Sequence, residues 1–268
     1  MNKNLKLIKN LFLVAAPILA SSVVGVSPSK AATFALSNSE VEFTNFSQIP
    51  LEVDTAANFN TDTVGKGGIV TAIADAEAEA VFLEVPPFAR NENLSLAFGE
   101  NRDYLGLAES QSEIRGEFDI KAGTNFSFDF SADLNLLTSI DNPPAENARA
   151  SGDISFLLFD IENNNVLDFF SLTGNLVTSG DNDFIALQKS DNVNLNQAGA
   201  NRDFVGNQES LVALIEGKYQ RNFADETNLA LIEVKRNRVR VTAPEPSINL
   251  ALLVSSGVIG VVLKRRRK

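Results

Sequence analysis

Carboxylate and amide side chains in two loop segments offer the plainest chemistry in this sequence. The first group is Asp160, Glu162, Asn164 and Asp168, and the second is Asp181, Asn182 and Asp183. Oxygen atoms of carboxylates, amides and backbone carbonyls are the ligands that Ca²⁺ prefers, and loops can gather several of them. Neither segment has EF-hand spacing, and Asp and Asn also form turns between strands. The sequence therefore suggests Ca²⁺ as a candidate cofactor, with purely structural turns as the alternative.

A second candidate is a polar motif that occurs twice, at Asn101-Arg102-Asp103 and at Asn201-Arg202-Asp203. Arg102 and Arg202 could bind acidic sugars, because a guanidinium group grips a carboxylate through two hydrogen bonds. Local pairing with the neighbouring aspartate is the alternative. The repeat itself indicates either an old duplication or a chance similarity between two turns that lead into apolar segments.

Two stripes of charge complete the candidates. Asp75, Glu77 and Glu79 would lie on one face of a strand, either to bind cations or as a solvated edge that prevents sheet aggregation. The last long apolar segment carries four cations, Lys235, Arg236, Arg238 and Arg240. These cations could meet an anionic polysaccharide or lipid headgroups, or form the exposed face of an edge strand.

The residue types that are missing exclude more than the motifs establish. The chain has no His and no Cys, which excludes Ser-His-Asp and Cys-His catalysis, disulfides and an ordinary zinc site. A pair of carboxylates remains as a catalytic device, as in glycosidases, but no pair among the acids is singled out.

The elements that position these residues are predicted to be β-strands. Between 125 and 136, Phe126, Phe128 and Phe130 begin a strict alternation of apolar and polar residues, which is typical of a half-buried strand. Segment 70–82 has the same period despite its helix-favouring Ala and Glu, so we also interpret it as a strand. Further strands are predicted at 41–46, 81–85, 94–98, 114–120, 154–161, 166–172, 184–187 and 229–241. Together these indicate an all-β, antiparallel β-sandwich domain over residues 32–243, with jelly-roll topology as the expected connection pattern.

The N-terminal residues 1–31 read as a secretory signal peptide. Lys3, Lys6 and Lys9 precede an apolar stretch from Leu11 to Val26, and small residues favour cleavage after Ala31. Signal peptidase is therefore an expected partner, and an uncleaved membrane anchor is the alternative.

Residues 244–268 form three blocks. Pro244, Glu245 and Pro246 come first, an apolar run at 248–263 that we predict to be a short transmembrane helix follows, and five cations end the chain: Lys264, Arg265, Arg266, Arg267 and Lys268. Terminal cations favour the cytoplasmic side of a membrane, which would leave the preceding domain outside. The order of blocks resembles the PEP-CTERM sorting signal of exported bacterial proteins, including many from cyanobacteria. The resemblance is confined to this tail and implies that an exosortase-like membrane protease recognises Pro244, Glu245 and Pro246, often alongside exopolysaccharide production.

The net charge of the domain argues against nucleic-acid binding. The chain has 23 basic and 34 acidic residues, and its two end segments contain nine of the basic residues and one of the acidic residues. Residues 32–243 therefore have a net charge of −19. This charge repels phosphate backbones. We expect a secreted, non-enzymatic protein of the cell envelope or extracellular matrix, anchored in the membrane before processing and then located at the cell surface or outside. The alternatives are a Ca²⁺-dependent carbohydrate-binding module for exopolysaccharide and a carboxylate-based enzyme that cleaves glycans.

Overall fold

A computed structural model of the chain describes residues 32–81, 87–178 and 180–243. The predicted signal peptide, the Pro244-Glu245-Pro246 motif, the apolar segment 248–263 and the basic residues 264–268 lie outside these residues. The described ranges contain no helix that is long and apolar enough to cross a membrane.

The described residues form twelve β-strands. In chain order they are β1 (Ala32–Thr44), β2 (Glu52–Gly65), β3 (Ile69–Val81), β4 (Phe88–Glu100), β5 (Tyr104–Ile120), β6 (Thr124–Ile140), β7 (Asn147–Asp160), β8 (Asn165–Thr178), β9 (Phe184–Lys189), β10 (Val193–Asp203), β11 (Gln208–Phe223) and β12 (Thr227–Ala243).

These strands build two six-stranded sheets whose neighbouring strands are all antiparallel. Sheet I has the order β10-β11-β6-β1-β4-β3, and sheet II has the order β2-β5-β12-β7-β8-β9. The middle strands of sheet I pack against those of sheet II, with β4 and β1 over β5, β12 and β7. The prediction of an all-β fold of antiparallel sheets is confirmed, whereas the jelly-roll connection pattern is not established by this order and stays a prediction.

The side chains follow the alternation that the sequence indicates. Phe126, Phe128 and Phe130 of β6 are buried together, whereas Asp129 is half-buried and Asp133 is exposed. Successive side chains of a strand point to opposite faces, so this pattern fixes which face of β6 enters the interior.

At one end of the interior, aromatic rings form a continuous cluster. Phe128 has ring contacts with Phe43, Phe156 and Tyr219 at centroid distances of 5.5, 5.7 and 5.2 Å. Such offset and edge-on pairs add to the free energy of burying the rings. The cluster joins both sheets, since β1, β6 and β11 belong to sheet I and β7 belongs to sheet II.

Strand β3 confirms that segment 70–81 is a strand, as its period of two predicted, and not the helix that its Ala and Glu residues favour. Asp75, Glu77 and Glu79 are exposed on its outer face, and Ala72, Ala74 and Ala78 pack against the core. Because β3 is an edge strand of sheet I, the acidic stripe lies where charge discourages pairing with another sheet.

Two interpretations of charged segments are wrong. Strand β12 is an interior strand of sheet II, paired with β5 and β7, so its cations are not on an edge strand. Only Arg236, Arg238 and Arg240 are exposed, and Lys235 points inward.

Of the two copies of the repeated Asn-Arg-Asp motif, only the first forms a turn. Asn101 to Asp103 form the turn between β4 and β5, whereas Asn201 to Asp203 are the last residues of β10. Their backbone pairs with β11 up to Asp203 and Ser210, which holds them in the extended conformation.

Candidate functional site

A layer of polar side chains lies between the two sheets, beside the aromatic cluster. We call it the interior polar layer. All of its members are at most 3% exposed: Ser37, Ser39, Asn91, Asn93, Ser95, Ser110, Ser112, Glu233, Lys235 and Asn237. They come from β1 and β4 of sheet I and from β5 and β12 of sheet II. Buried polar groups are costly unless they are hydrogen-bonded, so their partners decide what this layer can do.

The ammonium nitrogen of Lys235 is held against sheet I. Its Nζ donates a hydrogen bond to the backbone oxygen of Ser39 at 2.9 Å and another to the backbone oxygen of Asn91. Asn93 completes the contact by donating its Nδ2 to the backbone oxygen of Lys235 at 3.1 Å. The long lysine side chain therefore crosses from β12 to the opposite sheet without reaching solvent.

The carboxyl group of Glu233 contacts the same asparagine. Nδ2 of Asn91 donates to Oε2 of Glu233 at 2.5 Å, and the hydroxyl of Ser112 is a hydrogen-bond partner of the Asn91 carboxamide oxygen. The other carboxyl oxygen, Oε1 of Glu233, is buried and has no hydrogen-bond partner among the described residues. Asn91 is thus contacted by an amine through its backbone and by a carboxyl group through its side chain.

Burial sets the charge state of this pair. Desolvation raises the pKa of Glu233 to about 7, an effect that nearby Lys235 only partly offsets. Desolvation likewise lowers the pKa of Lys235 to about 7, against the opposing attraction of Glu233. Both shifts favour the neutral forms, a carboxylic acid and a free amine, because charge is poorly stabilised away from water.

The sequence analysis missed this layer, although a signal was present. In β12, Glu233, Lys235 and Asn237 share the inward face with Leu231 and Val239. Polar residues in phase with the apolar positions of a strand must enter the interior, since the side-chain period is two. The same signal is present in β4, where Asn91, Asn93 and Ser95 lie between Ala89 and Ala97.

The residues of the first predicted calcium group form hydrogen bonds with different partners within the protein. Asp160 accepts bonds from the backbone and side chain of Asn163, and the side-chain bond holds the pKa of Asp160 below its ordinary value. Glu162 accepts a bond from Asn228 at 2.8 Å, and Asn164 adopts a positive φ of 50° in the turn.

Asp168 serves a different purpose. It is 2% exposed, and its carboxylate accepts bonds from Asn192, Tyr219 and Arg221, the last as an ion pair of 2.9 Å. Tyr219 and Arg221 lie on β11 of sheet I, so Asp168 ties β8 to the opposite sheet.

The second predicted calcium group lies between β8 and β9. Asp183 accepts a bond from the backbone nitrogen of Val177 at 2.7 Å, and the backbone oxygen of Asn182 accepts one from Asn175 at 2.6 Å, while Asp181 is exposed. Within the described ranges no group of three or more acidic, His or Cys side chains is arranged to hold a metal ion. Calcium binding stays a prediction.

The two arginines are not brought together. Arg102 is exposed beside the backbone of Gly67, and the guanidinium group of Arg202 lies over the ring of Phe204 at 5.9 Å. Strands β4 and β10 are four strand spacings apart in sheet I, or roughly 19 Å. A shared ligand of small size could not bind both.

The outer face of sheet II carries a groove of about 420 Å³ that crosses β2, β5, β12 and β7. Exposed Phe59 stands at one side, and the lining includes Arg236, Gln111 and Asn58. Arg238 forms an ion pair of 2.6 Å with Glu109, which also lines the groove. The groove therefore combines one exposed aromatic ring with hydrogen-bond donors and acceptors.

No family model matches the chain, and no curated protein matches it. Among solved structures, the chain is similar to the translocator domain of the autotransporter NalP from Neisseria meningitidis, at 13% identity over 88% of this chain and 96% of that one, with a TM-score of 0.18. A similarity of this size carries no argument about fold or function.

Proposed function

We propose that this chain is an exported, non-enzymatic protein of the cell envelope or extracellular matrix. One observation carries the non-enzymatic part: the acid and the amine whose pKa values are most suited to catalysis, Glu233 and Lys235, are 0% exposed. Groups sealed between two sheets cannot meet a substrate from outside, so their chemistry is restricted to the chain itself.

Delivery rests on the two end segments. A signal peptide at 1–31 leads the chain to signal peptidase, and Pro244, Glu245 and Pro246 present it to an exosortase-like membrane protease. The apolar segment 248–263 holds the chain in the membrane until the tail is processed, with the cations at 264–268 on the cytoplasmic side. The domain at 32–243 then lies at the cell surface or outside.

A second candidate, binding of exopolysaccharide, is favoured by the groove on sheet II. Arg236, Gln111 and Asn58 supply hydrogen bonds to hydroxyl or carboxylate groups, and the exposed ring of Phe59 supplies an apolar surface for a sugar face. The two acids of the groove already have partners, because Glu109 pairs with Arg238 and Asp153 accepts a bond from Thr173.

The test is incubation of the purified protein with a panel of acidic polysaccharides, with and without Ca²⁺. Release of shortened glycans identifies an enzyme and refutes the proposal, retention alone identifies a binding module, and neither supports a structural protein. Arg236→Gln should weaken any retention at the groove. The matched control is Arg149→Gln, which removes the same charge from an exposed position of β7 outside the groove lining.

A further inference from the structure

The interior polar layer holds the chemical groups needed to form an amide cross-link: a primary amine, a carboxamide and a carboxyl group. Nζ of Lys235 donates a hydrogen bond to the backbone oxygen of Asn91, and the carboxamide of the same residue donates a hydrogen bond to Glu233. We propose that Lys235 and Asn91 become joined by an amide bond between Nζ and Cγ, with Glu233 transferring the protons. The protein would thereby acquire a covalent link between its two sheets.

The position of the amine supports the reaction. Nζ already contacts the backbone oxygen of Asn91, the residue whose side-chain carbon is to be attacked. Holding two reacting groups side by side in a rigid interior replaces a bimolecular encounter and removes much of the entropic barrier. Strands β4 and β12 supply that rigidity, since both have hydrogen-bonded neighbours on each side.

The surroundings favour the reactive forms of the amine and of the carboxyl group. Burial lowers the pKa of Lys235, so a larger share of the amine keeps the lone pair that acts as nucleophile. Burial raises the pKa of Glu233, which keeps its carboxyl group protonated and able to donate. Full burial also excludes water, which would otherwise compete with the amine for the carboxamide carbon.

The step balances without any other reactant. The lone pair of Nζ attacks Cγ of Asn91, and the electron pair of the C=O bond moves onto the carboxamide oxygen, to which the Ser112 hydroxyl is hydrogen-bonded. The Glu233 carboxyl group donates its proton to Nδ2, the atom of Asn91 that it contacts, and the C=O bond re-forms as the Cγ–Nδ2 bond breaks. The Glu233 carboxylate then accepts a proton from Nζ. Ammonia leaves, a C–N bond has replaced a C–N bond, Glu233 is protonated again, and nothing is oxidised or reduced.

The link would join two positions 144 residues apart in a chain without cysteine. Asn91 lies on β4 of sheet I and Lys235 on β12 of sheet II. An amide of this kind would serve as the equivalent of a disulfide for a protein outside the cell, and reducing agents would not break it.

The experiment is peptide mapping of the purified full chain after denaturation and trypsin digestion. The link should block cleavage after Lys235 and yield one branched species of residues 91–102 joined to residues 222–236. Its mass should be lower than the sum of the two peptides by about 17 Da, the mass of the ammonia lost. Fragmentation should place the bond at Asn91. Recovery of only free peptides, or a bond at Asn93, overturns the proposal, and neither outcome depends on a variant that folds.

Two variants then test the roles of the groups. Glu233→Gln should reduce the rate of linking by roughly 100-fold or more, the usual contribution of a proton-transfer group. Asn228→Ala is the control and should leave linking unchanged, because Asn228 lies on β12 outside the interior polar layer and bonds to Glu162. Unchanged linking in a folded Glu233→Gln protein, checked by its circular dichroism, contradicts the role of Glu233. A link that persists in a folded Asn91→Ala protein contradicts the choice of Asn91.

Discussion

Phe128 lies at the centre of the aromatic cluster, and its replacement by alanine tests the packing of the two sheets. The side chain is 0% exposed and contacts rings from both sheets, including Phe43, Phe156 and Tyr219. Removing a buried Phe side chain costs about 3 to 5 kcal/mol, because burial is lost and a cavity remains. The upper half of this range applies here, since neighbouring rings are held by backbone-paired strands and cannot collapse into the space.

The magnitude is a large share of the roughly 5 to 15 kcal/mol by which a typical domain is stable. For a domain of this size, each kcal/mol lowers the melting temperature by about 2 to 4 °C, so Phe128→Ala should melt at least ~8 °C lower. Equilibrium unfolding in urea measures the free energy directly, provided that the slope with denaturant is unchanged. Variants should be compared in the same state of the Lys235–Asn91 link, as established by their masses.

The matched control is Asp129→Ser, one residue away on the opposite face of β6. Asp129 is half-buried and accepts a hydrogen bond from Asn45 at 2.7 Å in an exposed setting, so its loss should cost no more than about 0.5 kcal/mol. A tolerated Phe128→Ala beside a damaging Asp129→Ser would refute the assignment of the two faces of β6 and the packing that depends on it.

Three further outcomes are expected. The combined change of Glu245→Ala and Pro246→Ala should leave unprocessed protein in the membrane fraction, and normal maturation on an immunoblot would contradict the sorting role of the tail. Millimolar Ca²⁺ should raise the melting temperature, and EDTA lower it, if the loops bind the ion only in the folded state, whereas identical curves would leave calcium without a role in stability. Glu233 should destabilise the fold as pH rises, because its pKa is raised in the folded state, so its contribution is favourable below an unfolded pKa of about 4.5 and lost as pH approaches 7. Lys235→Met in both proteins removes the amine that lowers the pKa of Glu233, so adding Glu233→Gln should stabilise by at least about 3 kcal/mol more at pH 8 than at pH 4. An equal effect at both pH values in urea unfolding would show that Glu233 keeps an ordinary pKa.

Most strands could be predicted because their inward faces are apolar. In β6 and β12, the period of two is strong enough to mark the strand and its buried face from the residues alone. Strands β2, β10 and β11 were not predicted. Strands β2 and β10 are edge strands whose side chains are largely exposed on both faces, and they are held by backbone hydrogen bonds that almost any sequence can form. Strand β11 is an interior strand of sheet I with alternate side chains buried, so its period of two was a signal that the sequence analysis missed.

The same limit explains what was correct and wrong about the charged segments. The outward direction of Asp75, Glu77 and Glu79 follows from alternation with alanine, and it is observed. The inward direction of Lys235 follows from the same rule, but four cations near one another suggested a single solvent-exposed patch. Charge type was given more weight than phase, although phase decides the face on which a strand residue lies.

The period of a strand is a local property, so the sequence by itself indicated an all-β domain and, for strands with an apolar face, which side is buried. Zero His and zero Cys likewise determined which kinds of catalysis are excluded. The partner of each buried side chain is not local. Only the packing of β4 over β12 brings Asn91 to Lys235 across 144 positions of chain, because strand order and the stacking of two sheets depend on all the strands at once.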